Sequence, residues 1–443
     1  MPRGASDIPA LRLEVLQEVM KTFMTAPKFF LMNLFPSSNA LSSTIKWESQ
    51  RGGRGMTPFV PPGAPAQVTA PHGIAEHYAE AAYWKEKMPF DEEFLNNLRK
   101  PGTTAEYQSA EATLSKELAS LSWRSDRRKE WMFSQMLFNN GFTYHVKGGY
   151  RVTLGYGIPS DHNVSLASGY NWNDGASKDI LSDIQDGKQK ISNDCGGKVN
   201  VAICNSAVLK LLANDTAIRQ LLRRTDFMGG AGGSSNLFEG NKHSIIGVNP
   251  GVVASLLDID QLYVYDEMYE VRAWLTSGIT GGSTTWFTVD DTSDFEDDQT
   301  LRFWDASAGT YEDRSIIGVN HENGTINVSQ APANSYRASE DYVTMLKYYI
   351  PSSKFVMMST TVDGQPIAEY MQAPFGLGRN WGQTTDQHEN WDPDVVWIRV
   401  QDKGLPILKN RDAVYILTVH TPTAAAAVSS TTTTSSSTTT TTA

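Results

Sequence analysis

Ser160-Asp161-His162 holds the three side-chain types of a hydrolytic relay, in which an imidazole oriented by a carboxylate takes the proton of a hydroxyl. Neighbouring side chains on an extended chain point to opposite faces, so consecutive residues cannot form that relay, and the tripeptide reads as a turn. His388-Glu389 with Asp392 and Asp394, and the acidic run Asp290, Asp291, Asp294, Glu296, Asp297 and Asp298, supply the donors of a divalent-cation site. Both read instead as solvated loops. Gly229 to Gly233 is glycine-rich, but no Lys-Ser or Lys-Thr follows to hold a phosphate. Gly376-Leu-Gly378-Arg-Asn-Trp-Gly382 is one residue too long for a dinucleotide fingerprint and lacks the strand that should precede one. Cys195 and Cys204 are too few for a disulfide framework, and no His or Cys stands at zinc-ligand spacing. An acid-base hydrolase built on Asp or Glu pairs has no placed partner residue. The expectation is a protein that is not an enzyme, with no catalytic residue, no cofactor and no metal.

Two constellations point to binding rather than catalysis. Arg51-Gly-Gly-Arg54 suits either a phosphate or a carboxylate across a subunit contact, and the contact is the favoured reading. Trp286, Trp304 and Tyr311 fit packing, or a sugar platform on a tail or adhesion component. The 443 residues carry 38 Lys+Arg against 49 Asp+Glu, a formal net charge of −11, which argues against gripping nucleic acid through a broad basic surface. With 40% hydrophobic and 20% charged residues the composition is that of a folded globular chain. At roughly 150 residues per domain it allows about three units. Phe29 to Phe35, the longest apolar stretch, is broken by Asn33, and no signal peptide or membrane span is expected.

The elements follow from spacing. Leu11, Val15, Val19 and Phe23 recur every four residues and predict an amphipathic helix ending near Pro27. From Ser42 to Ala82, short β-like pieces surround Arg51 to Gly55 and a Pro-rich turn, predicting a long hairpin with little core of its own, bearing Trp47 and Phe59. Between Pro101-Gly102 and Asn140-Gly141 no Gly or Pro interrupts a helix expected over 104–139. Its middle, Arg124 to Glu130, is charged all round, so it is expected to bridge solvent between two anchored ends or to lie along other polar chains. A hairpin at 142–154, a helix near 178–191, a buried strand at 198–204 and a helix from Ser206 predict an α/β unit. Residues 276–337 change to short β runs at about ten-residue spacing. The α/β pattern then resumes, and 422–443 has no apolar periodicity.

In that order the chain resembles the major capsid protein E family of tailed bacteriophages. Lys46-Trp47-Glu48 to Gly55 and Pro58-Phe59-Val60-Pro61-Pro62-Gly63 look like its E-loop, and Ala105 to Asn139 like its spine helix. Leu154-Gly-Tyr-Gly-Ile-Pro159, Trp172, Asp179-Ile180, Val201 to Leu222, Tyr349-Ile-Pro-Ser-Ser-Lys-Phe-Val-Met357 and Gly404-Leu-Pro-Ile-Leu408 follow the family's segments. The resemblance implies an α+β, Hong Kong 97-like phage capsid fold, from which the chain departs by an inserted small all-β domain and by its Thr-rich tail. It divides the chain into an N-terminal arm (1–40), the E-loop (41–90) and a peripheral domain with spine helix and hairpin (91–190). There follow the first part of the axial domain (191–275), the insert (276–337), a return to axial and peripheral domains (338–360), closing strands (361–421) and a disordered tail (422–443). It implies a homo-oligomer of hexamers and pentamers in a virion shell, assembled in the host cytoplasm. A decoration protein, scaffold and portal are the implied partners, and DNA is enclosed without sequence-specific binding or membrane. Leu11, Val15, Val19, Phe23, Trp47, Arg51, Arg54 and Phe59 are the expected assembly contacts. Glu48 to Tyr83 contains no Lys, so an isopeptide cross-link from the loop is not expected. An encapsulin-like compartment shares the implied fold.

Overall fold

The computed structural model describes residues 29–420 apart from 51–55, 58, 64, 66–73, 92–105, 146–150, 175–176, 221–249, 293, 296–298, 377 and 392–393. Leu11, Val15, Val19, Phe23, Arg51, Arg54, the Gly229 to Gly233 loop and 422–443 therefore lie outside the described residues. The chain divides into two compact units, one running to Glu267 and resuming over Tyr348–His420, the other formed by Met268–Lys347.

Glu106–Asn139, free of Gly and Pro, is one helix of 34 residues, about 50 Å long at ~1.5 Å per residue. It stops at Asn140, whose φ of 56° is left-handed, a conformation that amide side chains tolerate. Its C-terminal half buries Met132, Phe133, Met136, Leu137 and Phe138. This half lies against the longest strand, Asp394–Leu408. In that strand Val396, Ile398 and Val400 are buried while Trp397 and Arg399 are half-buried, the period-2 alternation of a sheet with one covered face. The strand pairs antiparallel with Ala82–Asp91, with Thr384–Trp391 and, at its far end, with Ala368–Gln372. Ser37–Asn39 adds in parallel to Ala368–Gln372.

A second sheet of the same unit runs in the order Asn163–Ser165, Val414–Thr418, Lys354–Met358, Val201–Cys204, Gln261–Val264. All four residues of Val201–Cys204 are buried, as expected of a strand covered on both faces. The helix Ile180–Cys195, N-capped by Asp179, packs so closely on it that a Cβ at Gly187 would sit 2.3 Å from Met357 Cε. A side chain there would displace the Met357 methyl and crowd the Tyr415 ring at 2.9 Å. The helix Ser206–Asn214 is capped by the Asn205 side chain, which accepts from the Ala207 N–H.

In the second unit six strands order as Met268–Trp274, Tyr342–Tyr348, Thr300–Asp305, Thr310–Asn320, Thr325–Val328, Trp286–Thr288. The register shifts between Ile316 and Gly318, letting the 11-residue strand pair with both neighbours. Its core centres on Phe303, whose ring meets Phe287 at 5.1 Å and Tyr336 at 5.4 Å. Glu312 pins a loop against it, accepting from the N–H groups of Ala333 (2.8 Å) and Asn334 (3.0 Å) and from the Tyr336 hydroxyl (2.8 Å). The unit is wider than the 276–337 stretch of β texture, because the strands that flank that stretch in sequence, Met268–Trp274 and Tyr342–Tyr348, pair with each other.

Candidate assembly surface

The residues with catalytic side chains serve architecture. Ser160–His162 forms a single 3-10 turn. His162 is fully buried, with Nε2 2.8 Å from Asp194 and Nδ1 3.1 Å from the Val414 carbonyl. Lys190 spans Asp161 (2.6 Å) and Asp194 (3.1 Å), and the hydrogen bonds from His162 and then Lys190 hold the Asp194 carboxyl below its usual range. The cluster ties a helix to the edge of a sheet, and among the described residues no hydrogen bond joins Ser160 to His162. His388 sits opposite Trp397 in a strand pair, and no group of three metal-ligating side chains forms among the described residues. Cys195 and Cys204 are buried and unlinked, and burial pushes the Cys204 thiol up. In the second unit the guanidinium groups of Arg272 and Arg302 each lie over one face of Tyr342 (4.4 Å) and Tyr311 (4.0 Å), while Tyr311 and Trp286 remain 53% and 55% exposed.

The charged middle of the long helix does not bridge solvent. Asp126, Lys129 and Glu130 are buried. Lys129 Nζ lies 2.8 Å from Asp402 and 3.4 Å from Asp126. Glu130 accepts from the backbone N–H groups of Phe30 (3.1 Å), Leu31 (3.0 Å) and Met32 (2.8 Å), capping the short helix Leu31–Leu34 from about a hundred residues away. Burial drives the Glu130 carboxyl above its usual range, against the pull of these N–H groups. Burial also opposes the Lys129 charge, but Asp402 and Asp126 outweigh it and hold the ammonium above its usual range. The solvent-bridging expectation fails because the facing strand and the 30–32 backbone supply the missing counter-groups. Sequence reasoning missed this cluster; its one local signal is the i, i+3 spacing of Asp126 and Lys129.

The hairpin Thr44–Gln50 / Ile74–Glu80 has two unlike faces. Ile45, Trp47 and Ser49 with Ala79 form the covered one, Trp47 stacking on His77 at 5.4 Å. Trp47 is 7% exposed, so it is completed within its own copy, which corrects the expectation that it waits for a neighbour. The other face is bare: Tyr78 is 77% exposed, and beyond the strands Met56 and Phe59 stand at 91% and 105%. Here Glu48 and Glu76 oppose each other directly. A second exposed face lies on the sheet of Ala82–Asp91, Asp394–Leu408 and Thr384–Trp391, where Lys87, Arg399, Trp397, His388, Gln387 and Asp386 line a hollow of about 500 Å³. Lys87 Nζ sits 3.9 Å over the Trp397 ring, and Asp386 accepts from Arg399 Nη2 at 2.7 Å.

A family model described as phage major capsid protein E matches residues 13–239, just over half of the chain. The chain belongs to the phage major capsid protein E family. It is thus a major capsid protein, a subunit of the phage head that encloses the genome, and its place is the virion. Solved structures similar to this capsid subunit include a putative prophage capsid protein from E. coli CFT073, 11% identical, covering 91% of this chain and 99% of that one with a TM-score of 0.49. A phage-related protein from Bordetella bronchiseptica RB50 is 10% identical, covering 91% and 96% with a TM-score of 0.45. A chain from Mycobacterium phage Patience is 9% identical, covering 92% and 89% with a TM-score of 0.36. No curated protein matches the sequence. The described residues have mixed α+β architecture dominated by strands, and no described helix is long and apolar enough to cross a membrane.

Proposed function

We propose that this capsid subunit forms the icosahedral head of a tailed double-stranded DNA phage as hexamers and pentamers, assembled in the host cytoplasm, on a Hong Kong 97-like plan. In this reading the 44–80 hairpin is the E-loop, Glu106–Asn139 the spine helix, the Asp394–Leu408 sheet the peripheral domain and the Val201–Cys204 sheet the axial domain. The first 40 residues, with Leu11, Val15, Val19 and Phe23, form the N-terminal arm, and Met268–Lys347 is an inserted accessory domain. A scaffold and portal act in assembly. With no Lys between Glu48 and Tyr83, reinforcement comes from a decoration protein or from the insert.

The supporting observation is the bare hairpin face. Tyr78, Met56 and Phe59 are large apolar side chains held in water on an element projecting from its core, and burying one is worth ~1.5–3 kcal/mol. Sister copies supply that burial, together with Arg51 and Arg54 at the same loop. Electron microscopy of the purified protein tests the reading: closed shells, tubes or sheets are expected. A monomer that assembles under no condition, even with its phage scaffold, would defeat it.

A further inference from the structure

The outer face of the second unit carries four aromatic side chains in a row, one from each of four neighbouring strands: Trp274, Tyr342, Trp304 and Tyr311. Their chain neighbours Ala273, Val343 and Phe303 are buried in the core, so the period-2 alternation turns the first three rings outward. The register sets Tyr311 directly opposite Trp304, on the same side. Successive ring centroids lie 5.1, 6.3 and 5.1 Å apart, and three strand spacings make the row about 14 Å long. The two end rings, Trp274 and Tyr311, are 41% and 53% exposed. A bridge from Leu275 to Val289 joins the outermost strands, so the sheet turns back on itself. With that edge occupied, a ligand meets this unit through its outward side chains rather than by adding a strand.

The charges beside the row are paired among themselves. Arg302 donates to Asp313 through Nε at 2.8 Å and Nη2 at 3.0 Å, and Arg272 Nη2 donates to Glu270 at 2.9 Å. The sum is neutral, which leaves little to draw a DNA backbone or an acidic peptide. A pyranose ring has the matching character: a C–H face that stacks on aromatic rings, and a rim of hydroxyls that both give and accept hydrogen bonds, as an Arg–carboxylate fork does in return. Interplanar angles of 65°, 23° and 47° along the row carry it out of a single plane, so it suits one flexible chain rather than a flat crystalline surface. We propose that this face binds a neutral, linear oligosaccharide. Trp286 takes no part, because it stands opposite Asn327 on the last strand and, among the described residues, no ring contact joins it to the row. The site goes beyond shell formation and does not depend on it.

Calorimetric titration of the full-length protein with cellohexaose, chitohexaose and maltohexaose tests this. At least one should bind with a sub-millimolar Kd that high salt leaves unchanged. Trp274→Ala and Tyr311→Ala should each weaken that binding about fivefold, and together about twenty-five-fold. Trp286→Ala should bind like wild type, and thermal melting should stay unchanged in all of these variants. Failure of all three sugars to bind overturns the proposal. So does binding that salt abolishes, the mark of an anion site, or binding that Trp286→Ala weakens as much as Trp274→Ala. Particles supply a further arm: the Trp274→Ala/Tyr311→Ala double variant should assemble as the wild type does. Lost assembly in that variant, with no sugar bound by the wild type, would make the row a contact between copies and overturn the site. If the wild-type protein forms no shells, the shell reading fails separately, and titration of the free subunit still decides this one.

Discussion

The middle of the long helix and the outer face of the hairpin carry the same residue types and treat them in opposite ways. In the helix, Asp126, Lys129 and Glu130 are taken out of water, and each finds a counter-charge or a set of backbone donors inside the copy. On the hairpin, Glu48, Glu76 and Tyr78 remain in water without such partners. A buried charge must be matched at once because the alternative costs several kcal/mol, whereas an exposed one can wait. The contrast separates what makes the subunit from what the subunit is for.

The largest break in this contrast is Glu130→Ala, which takes the acceptor from three backbone N–H groups, one buried and two part-buried. Denaturant unfolding of the free subunit should show a loss of about 4 kcal/mol, and a loss below about 1 kcal/mol would mean that the cap is idle. Lys129→Met leaves Asp402 and Asp126 facing each other, with an expected loss of about 3 kcal/mol. Adding Asp402→Asn should recover part of it, and a double-mutant cycle measures the coupling.

Acid sharpens the comparison within carboxylates. Glu130 titrates above its ordinary value of 4.5 in the folded state, so its favourable contribution is full below 4.5 and is lost as pH rises through the raised folded value. At Glu312 burial also raises the carboxyl, but the N–H groups of Asn334 and Ala333 and the Tyr336 hydroxyl outweigh it and lower the group overall. Its contribution is present above 4.5 and is lost as pH falls through the lowered value. Stability-versus-pH curves of Glu130→Gln and Glu312→Gln should therefore depart from wild type with opposite slopes. Equal slopes would show that burial does not distinguish the two sites. The smallest stability effect belongs to Tyr78→Ser, within about 0.5 kcal/mol in the free subunit. Shell yield should nonetheless fall, as particle counts in negative stain would reveal.

Local pattern carried much of the secondary structure. A Gly- and Pro-free run ending at Asn140-Gly141 marked the long helix, and β runs between Asp-rich and Asn-Gly turns marked the β unit. What escaped was pairing over distance. Nothing near Glu130 announces that its partners are the amides of residues 30–32, and nothing near Lys129 points to Asp402. Trp47 alternates with Ile45 and Ser49, a visible sign of one covered face, but the sequence does not say what covers it. The facing of Glu48 and Glu76 depends on a register set across a long connecting stretch, so it appears only once the strands are paired. The hollow around Lys87, Trp397 and Arg399 likewise joins the strand Ala82–Asp91 to a strand pair about 300 positions later.

The parallel pairing of Ser37–Asn39 with Tyr370–Gln372 bears on how the protein is made. The earliest described strand must hold its place until a partner some 330 positions later leaves the ribosome, a delay on the order of tens of seconds at ~5–20 residues per second. The capping carboxylate at Glu130 emerges well before that, ready to hold residues 30–32 near their final seat. Closure of this sheet edge therefore comes late in translation, after Gln372 has been made.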